Sequence, residues 1–348
     1  MDFPAWDPVL IDIPGLPIDI RWYGLMYVVA FLVAQWIFVR LARARFFPVP
    51  ADAAPDLIFY CVIGVMLGGR TGFALFYNHS LLNPIEFVKV WTGGLSFHGG
   101  LAGVGIASWL FARRHRVSWR RTVDSAALAV TPGILFVRIA NFINGELYGR
   151  VTERGVGWAM QFPTDPMAER LLGLSSAWTM RDRELCIQVA YGHKRFADVQ
   201  DLLSKVDDRG EAIDWASVAP HLDWAKVSHM TDVDGHLLVP YRHPSQLYEG
   251  LGEGLVLGLV MLALYLLTRK RPWRPGAYGI AFLFGYAIVR WTLERVRQPD
   301  AYFPGDGTVF LGMTMGQTLS TAMVVGAVVM LFWPSRRPAG GAAPPPAE

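Results

Sequence analysis

The chain has 348 residues, 53% hydrophobic and 18% charged, with a formal net charge of +3. Soluble domains carry about 25% charged residues, so this deficit, together with 13 Trp and 20 Phe, puts the membrane class first. The small, dispersed charge excludes nucleic acid as a partner. The two cysteines, Cys61 in an apolar run and Cys186 in a polar one, have no metal-ligand spacing and are not expected to pair.

The N-terminal stretch carries Asp2, Asp7 and Asp12 and no basic segment before an apolar core, so no cleavable signal peptide is expected. A membrane helix needs roughly 20 mostly apolar residues to cross a hydrocarbon core of about 30 Å. Seven segments qualify as candidates: Trp22–Val39, Leu57–Tyr77, Phe97–Ala112, Val123–Phe142, Leu251–Thr268, Tyr278–Glu294 and Val309–Trp333. The third and fourth are the least clean, because Gly, Pro and charge interrupt them. Glycines in 64–72 and 99–105 fit close helix packing. The fold expected is an all-α polytopic membrane protein with seven transmembrane helices and a periplasmic head.

Basic residues in short loops set the orientation. Arg40, Arg43 and Arg45 follow the first span; Arg113, Arg114, Arg116, Arg120 and Arg121 the third; Arg269, Lys270, Arg271 and Arg274 the fifth; Arg336 and Arg337 the seventh. The opposite side offers Arg21, Lys89, Arg295 and Arg297. The N-terminus is therefore expected outside and the C-terminus in the cytoplasm, which an odd number of spans satisfies. The domain plan expected is 1–145 for an outer N-terminal segment and four spans, 146–248 for a polar periplasmic head, 249–333 for three spans, and 334–348 for a disordered Pro/Ala/Gly-rich tail. Within the head, Gly155–Phe162 is a candidate strand.

Charge inside a bilayer is costly and marks function by default. Arg70, Arg138 and Arg290 fall within spans, each toward the outer end of a helix running outward. Glu294 follows Arg290 by one turn and shares its face. Tyr23, His98, Asn141, Asn144, Glu146, His243, Gln246, Tyr248, Glu249 and Tyr286 fall at the same outer level. Arginine grips phosphate through planar, permanently charged, bidentate contacts, so this level reads as a site for an anion, most simply a phospholipid head group. A histidine there is a candidate general base. The plainer readings are interior ion pairs for Arg70 and Glu294, a snorkelling Arg138 and a structural His98. Trp22, Trp91 and Trp291 read as interfacial belt aromatics, and His115, His193, His221, His229 and His236 as surface residues.

The run V-R-I-A-N-F-I-N-G-E-L-Y-G, Val137 to Gly149, resembles the signature of prolipoprotein diacylglyceryl transferases. R-W-Y-G-L-M-Y from Arg21, S-F-H-G-G from Ser96, H-P-S-Q-L-Y-E from His243 and R-x-x-x-E-x-x-R-x-P-D from Arg290 to Asp300 also resemble that family, in its order, over roughly 18–165 and 240–333. Two features depart from it. Val137 stands where the signature usually opens with Gly, for which a packing adjustment is expected, and the polar stretch 174–240 is longer than usual.

The resemblance implies transfer of the diacylglyceryl group of phosphatidylglycerol to the lipobox cysteine of a preprolipoprotein in the bacterial inner membrane, releasing glycerol phosphate without metal or cofactor. Partners implied are phosphatidylglycerol, the acceptor's signal peptide and lipobox, and the lipid bilayer. It implies His98 as candidate base and Arg138 and Arg290 as phosphate ligands. Tyr23, Asn141, Glu146, Gly149, Glu294 and Arg297 match positions used around the family's site. Asn144, His243, Arg70 and Tyr286 are further substrate-binding candidates, and Asp124, far from that level, reads as structural. The rival readings are an anion transporter, another lipid-head-group enzyme such as an alcohol phosphotransferase, whose Asp-rich metal motifs are absent from this sequence, and a lipid-binding scaffold.

Overall fold

A computed structural model describes residues 3–4, 6, 8–12, 19–76, 79–89, 96–165, 228–229, 237, 239–298 and 308–332. Cys186, most of the 174–240 stretch and the 334–348 tail lie outside the described residues. The chain is mainly helical: α1 Trp22–Arg43, α2 Asp56–Phe76, α3 Pro84–Val88, α4 Phe97–Arg114, α5 Trp119–Ile143, α6 Ser245–Thr268, α7 Ala277–Leu293 and α8 Met315–Phe332. Among the described residues, α1, α2, α5, α6 and α8 are long and apolar enough to cross a bilayer. Helix α7 is apolar but spans 17 residues. Helix α4 has 18, and its glycines with Arg113 and Arg114 dilute its apolar content. Large side chains such as Phe59, Leu267 and Ile288 stand exposed on these helices, as lipid-facing positions of a polytopic membrane protein do.

Two elements differ from the sequence expectation. Helix α8 begins at Met315, because Thr308–Phe310 (β5) pairs antiparallel with Met313–Thr314 (β6) across Leu311 and Gly312, both at positive φ. Gly155–Phe162 forms no strand. Turns occupy Arg154–Trp158, with Gly157 at φ +41°, and Met160 alone bridges to Arg242. The pairing strands are instead Val151–Thr152 (β3) and Tyr241–Arg242 (β4). Near the N-terminus Val9–Ile11 (β1) pairs with Ile20–Arg21 (β2).

The chain divides into two compact units: residues 1–28, 135–251 and 290–318, and residues 29–134, 252–289 and 319–348. In the second unit, α2 and α4 meet backbone to backbone. A Cβ on Gly103 would lie 1.9 Å from the Gly64 carbonyl oxygen, and one on Gly68 would lie 2.3 Å from that of Gly99. Between membrane helices there is little hydrophobic driving force, so such close van der Waals contact supplies association. Phe38, Phe47, Phe111 and Tyr278 form a buried core there. Asp124, fully buried, accepts from the backbone N–H groups of Gly276 (2.8 Å) and Gly279 (2.9 Å). Its carboxylate thus satisfies orphan donors at the start of α7, the structural part expected of it. In the first unit, Phe3, Phe142 and Phe162 pack with ring centroids 5.0–5.3 Å apart.

Candidate functional site

The first unit gathers most of the polar residues singled out by sequence. Arg138 comes from the last two turns of α5, which runs to Ile143. Arg290 comes from the end of α7, and Arg297 from the segment just after it. All three guanidinium groups reach one carboxylate, that of Glu249 in the first turns of α6. Arg138 Nη2 lies 2.6 Å from Glu249 Oε2, Arg290 Nη1 3.2 Å from the same oxygen, and Arg297 Nη1 3.3 Å from Oε1. The Glu249 side chain is 1% exposed, whereas those of Arg138, Arg290 and Arg297 keep 17%, 13% and 14%. The carboxylate therefore lies behind the cations, and the remaining accessible edges belong to arginine.

A second carboxylate backs the same group. Glu294 Oε2 lies 3.6 Å from Arg290 Nε, and its Oε1 accepts from Thr314 Oγ1 at 2.7 Å. Gly316 makes room for it, since a Cβ there would fall 2.4 Å from Glu294 Oε2. Arg290 thus faces two carboxylates, those of Glu249 and Glu294, and shares the first with Arg138 and Arg297. Burying such charges is tolerable only because they are paired.

The turn after α5 sets the neighbouring polar groups. Asn141 Nδ2 donates to Glu146 Oε1 at 2.9 Å, and Asn144 Nδ2 reaches the same oxygen at 3.5 Å. Tyr23 interacts with Tyr27, Asn141 and Glu146, and its ring packs 5.2 Å from that of Tyr27. Leu147 is held at φ +59°, a costly conformation for a side chain of its size. Two buried side chains of α6 hold it there: Ser245 Oγ donates to the Leu147 carbonyl (2.8 Å) and Gln246 Nε2 to that of Glu146 (2.6 Å). The first turns of α6 therefore place both the arginine cluster and the Asn141–Glu146 turn.

Gly149 is where two backbones touch. Its N–H donates to the His243 carbonyl at 2.7 Å, and it bridges to Arg297. A Cβ there would sit 2.2 Å from the Val296 carbonyl oxygen. His243 enters the site through its backbone, and burial pushes its imidazole below the ordinary value. Arg242 ties the surroundings together through its ion pair with Asp165, a 2.8 Å bond to Gln298 Oε1 and a position 5.0 Å over the Tyr148 ring.

Three of the expected residues belong to the second unit. Arg70, an anion candidate in the sequence, donates to the carbonyls of Phe87 (3.0 Å), Glu86 (2.7 Å) and Lys89 (3.0 Å), closing the end of α3. Backbone acceptors of this kind leave no mark in sequence. His98 is the second residue of α4, and its side chain lies outside the described residues. Tyr286 lies on α7, its ring 5.8 Å from that of Phe282.

Sequence reading placed Glu249 at the outer level without giving it a role. The usable signal was electrostatic: buried guanidinium groups demand a counter-charge, and Glu249 sits at the mouth of an apolar run. Ser245, Thr314 and Gly316 carried no comparable signal.

Residues 8–333 match the family described as prolipoprotein diacylglyceryl transferase. The chain belongs to the prolipoprotein diacylglyceryl transferase family. A phosphatidylglycerol–prolipoprotein diacylglyceryl transferase of Paraburkholderia phymatum is 38% identical over 341 residues, covering 96% of this chain and 95% of that protein. Proteins of the same name from Burkholderia lata and Burkholderia thailandensis are 37% and 38% identical over 348 residues, with 98% of each chain covered. Membership in the diacylglyceryl transferase family thus extends across both compact units and includes every residue of the arginine cluster.

Proposed function

We propose that this protein catalyses the first step of lipoprotein lipidation, moving the diacylglyceryl group of phosphatidylglycerol onto the lipobox cysteine of a preprolipoprotein. The observation that carries this reading is the clustering of Arg138, Arg290 and Arg297 on Glu249, in a membrane protein of the diacylglyceryl transferase family. A thiolate attacks the glyceryl carbon. The carbon–oxygen bond to phosphate breaks, and its electron pair leaves on the phosphate oxygen. Arg138 and Arg290 hold that phosphate and stabilise its growing charge, as preorganised donors do. Arg297 and Glu294 fix their geometry. The thiolate is the reactive form of cysteine, and His98 is the base that generates it. Tyr23, Asn141, Asn144, Glu146, Gly149 and His243 are assigned to the glyceryl and lipobox groups, and Tyr286 to the head group. Arg70 holds α3.

In this reading the seven helices α1, α2, α4, α5, α6, α7 and α8 cross the inner membrane with the N-terminus periplasmic and the C-terminus cytoplasmic. Residues 146–248 form the periplasmic head, flanked by spans in 1–145 and 249–333, and 334–348 form a cytoplasmic tail. Family membership leaves the transporter, the other head-group enzymes and the scaffold without support of their own. The test is incubation of the purified protein with phosphatidylglycerol and a lipobox peptide. A mass gain of one diacylglyceryl unit on the peptide cysteine is expected, and an unmodified peptide would refute the assignment.

A further inference from the structure

The charge balance of the reaction raises a problem that the arginine cluster must solve. Phosphatidylglycerol enters as a phosphodiester with one negative charge. When the new sulfur–carbon bond forms and the carbon–oxygen bond breaks, the thiol proton goes to the base and the phosphate leaves as a monoester. A phosphate monoester carries about −1.5 to −2 at neutral pH. The site therefore has to bind a monoanion, and then release a product with roughly twice its charge. Three permanently charged, largely buried guanidinium groups would by themselves hold that product most tightly.

Glu249 is placed to oppose this. Its carboxylate lies within 2.6–3.3 Å of a nitrogen of each of Arg138, Arg290 and Arg297, and it is almost fully buried. Its position behind the guanidinium groups gives it no direct path to an incoming lipid. Every hydrogen-bond donor that turns toward Glu249 is withdrawn from phosphate, and every donor recruited by phosphate is withdrawn from Glu249. Helix α6 fixes the carboxylate from its backbone, with Ser245 and Gln246 anchored on the carbonyls of Leu147 and Glu146, so it stays in place when the product leaves. Arg290 is held from a second side by Glu294, whose Oε1 is occupied by Thr314. Among the described residues, Glu249 is a carboxylate shared by all three arginines.

We infer that Glu249 is an internal competitor of the phosphate, a positioning residue whose carboxylate reclaims the arginines and so drives out glycerol phosphate after transfer. The inference rests on the assignment of Arg138 and Arg290 to the phosphate. It predicts an uncommon kinetic signature. Replacing the carboxylate by its amide, Glu249→Gln, leaves the site with extra positive charge, so substrate and product both bind more tightly while turnover slows at release. Residues that only support structure raise KM or leave it unchanged when damaged; here KM and kcat fall together.

The experiment measures binding of glycerol phosphate to the full-length protein in detergent, with KM and kcat for phosphatidylglycerol on the same preparations. In Glu249→Gln, binding about tenfold tighter than wild type is expected, a conservative figure for a close charge pair, with lower KM and lower kcat. Glu249→Asp keeps the charge, and so the fold, while drawing the carboxylate back from its 2.6 Å contact; it shows the same direction with smaller size and serves where the amide variant folds poorly. Product binding equal to or weaker than wild type in the variants that fold would overturn the inference. Arg138→Gln separates the two claims: it loses glycerol phosphate binding if the phosphate assignment holds, and unchanged binding there would overturn that assignment itself.

Discussion

Arg138 and Glu249 meet at 2.6 Å, and of the pair only the arginine keeps an accessible edge, 17% of its side chain against 1% for the glutamate. The pair joins the end of α5 to the start of α6, and the same carboxylate collects Arg290 and Arg297. A cation held in this way is already oriented, which lowers the entropic cost of any further contact it makes.

If those donors carry the developing charge, Arg138→Ala and Arg290→Ala each reduce diacylglyceryl transfer by about 10²–10³-fold, the usual cost of one lost charge-stabilising donor. Membrane insertion persists. Mass spectrometry of a lipobox peptide reads the transfer, and retained rates in both variants would sink the phosphate assignment.

Much of this group was legible in the sequence because an arginine or asparagine inside an apolar run is conspicuous. Arg138, Asn141, Arg290 and Glu294 stood out in this way, and the close packing of the 64–72 and 99–105 glycines followed from their spacing. The partnerships were less legible. Glu249 was visible as a polar residue, but not as the shared counter-charge, since which arginine it meets depends on how α5, α6 and α7 end. Arg70 was read by charge alone, while among the described residues its guanidinium donates to backbone carbonyls of 86–89. The start of α8 was placed too early, because β5 is apolar and indistinguishable from helix by hydropathy.

Gly149 tolerates no side chain, because a Cβ would collide with the Val296 carbonyl and with His243. Gly149→Ala should cost about 1–3 kcal/mol through overpacking and displace Arg297, its bridge partner. Lower thermal stability in detergent with a loss of transfer activity is expected; unchanged values of both would show that the two backbones part freely.

The α2–α4 contact makes a comparable prediction within the second unit. Gly103→Leu forces side-chain atoms against the Gly64 carbonyl and removes the close approach on which membrane helix packing relies. Faster proteolysis and a lower melting temperature in detergent are expected. Gly105→Leu is the control, with nothing within 4 Å of its Cβ position, and it should melt like the wild type.

His243 gives a pH dependence. Burial holds its imidazole below 6.5 in the folded chain, so the unfolded chain binds the extra proton first as pH falls. The stability that the neutral ring contributes is complete above about 6.5 and is lost progressively below it. Melting temperatures of wild type and His243→Gln should diverge between neutral and mildly acidic pH, with the variant flatter; parallel curves would remove His243 from the acid response.

The central claim is that guanidinium groups gathered on Glu249 grip the phosphate of phosphatidylglycerol, and phosphorus NMR of that lipid in nanodiscs tests it most directly. Wild-type protein should produce a distinct bound phosphate resonance that disappears in the Arg138→Gln/Arg290→Gln double variant. A bound resonance that persists unchanged in the double variant would place the phosphate elsewhere and contradict the account.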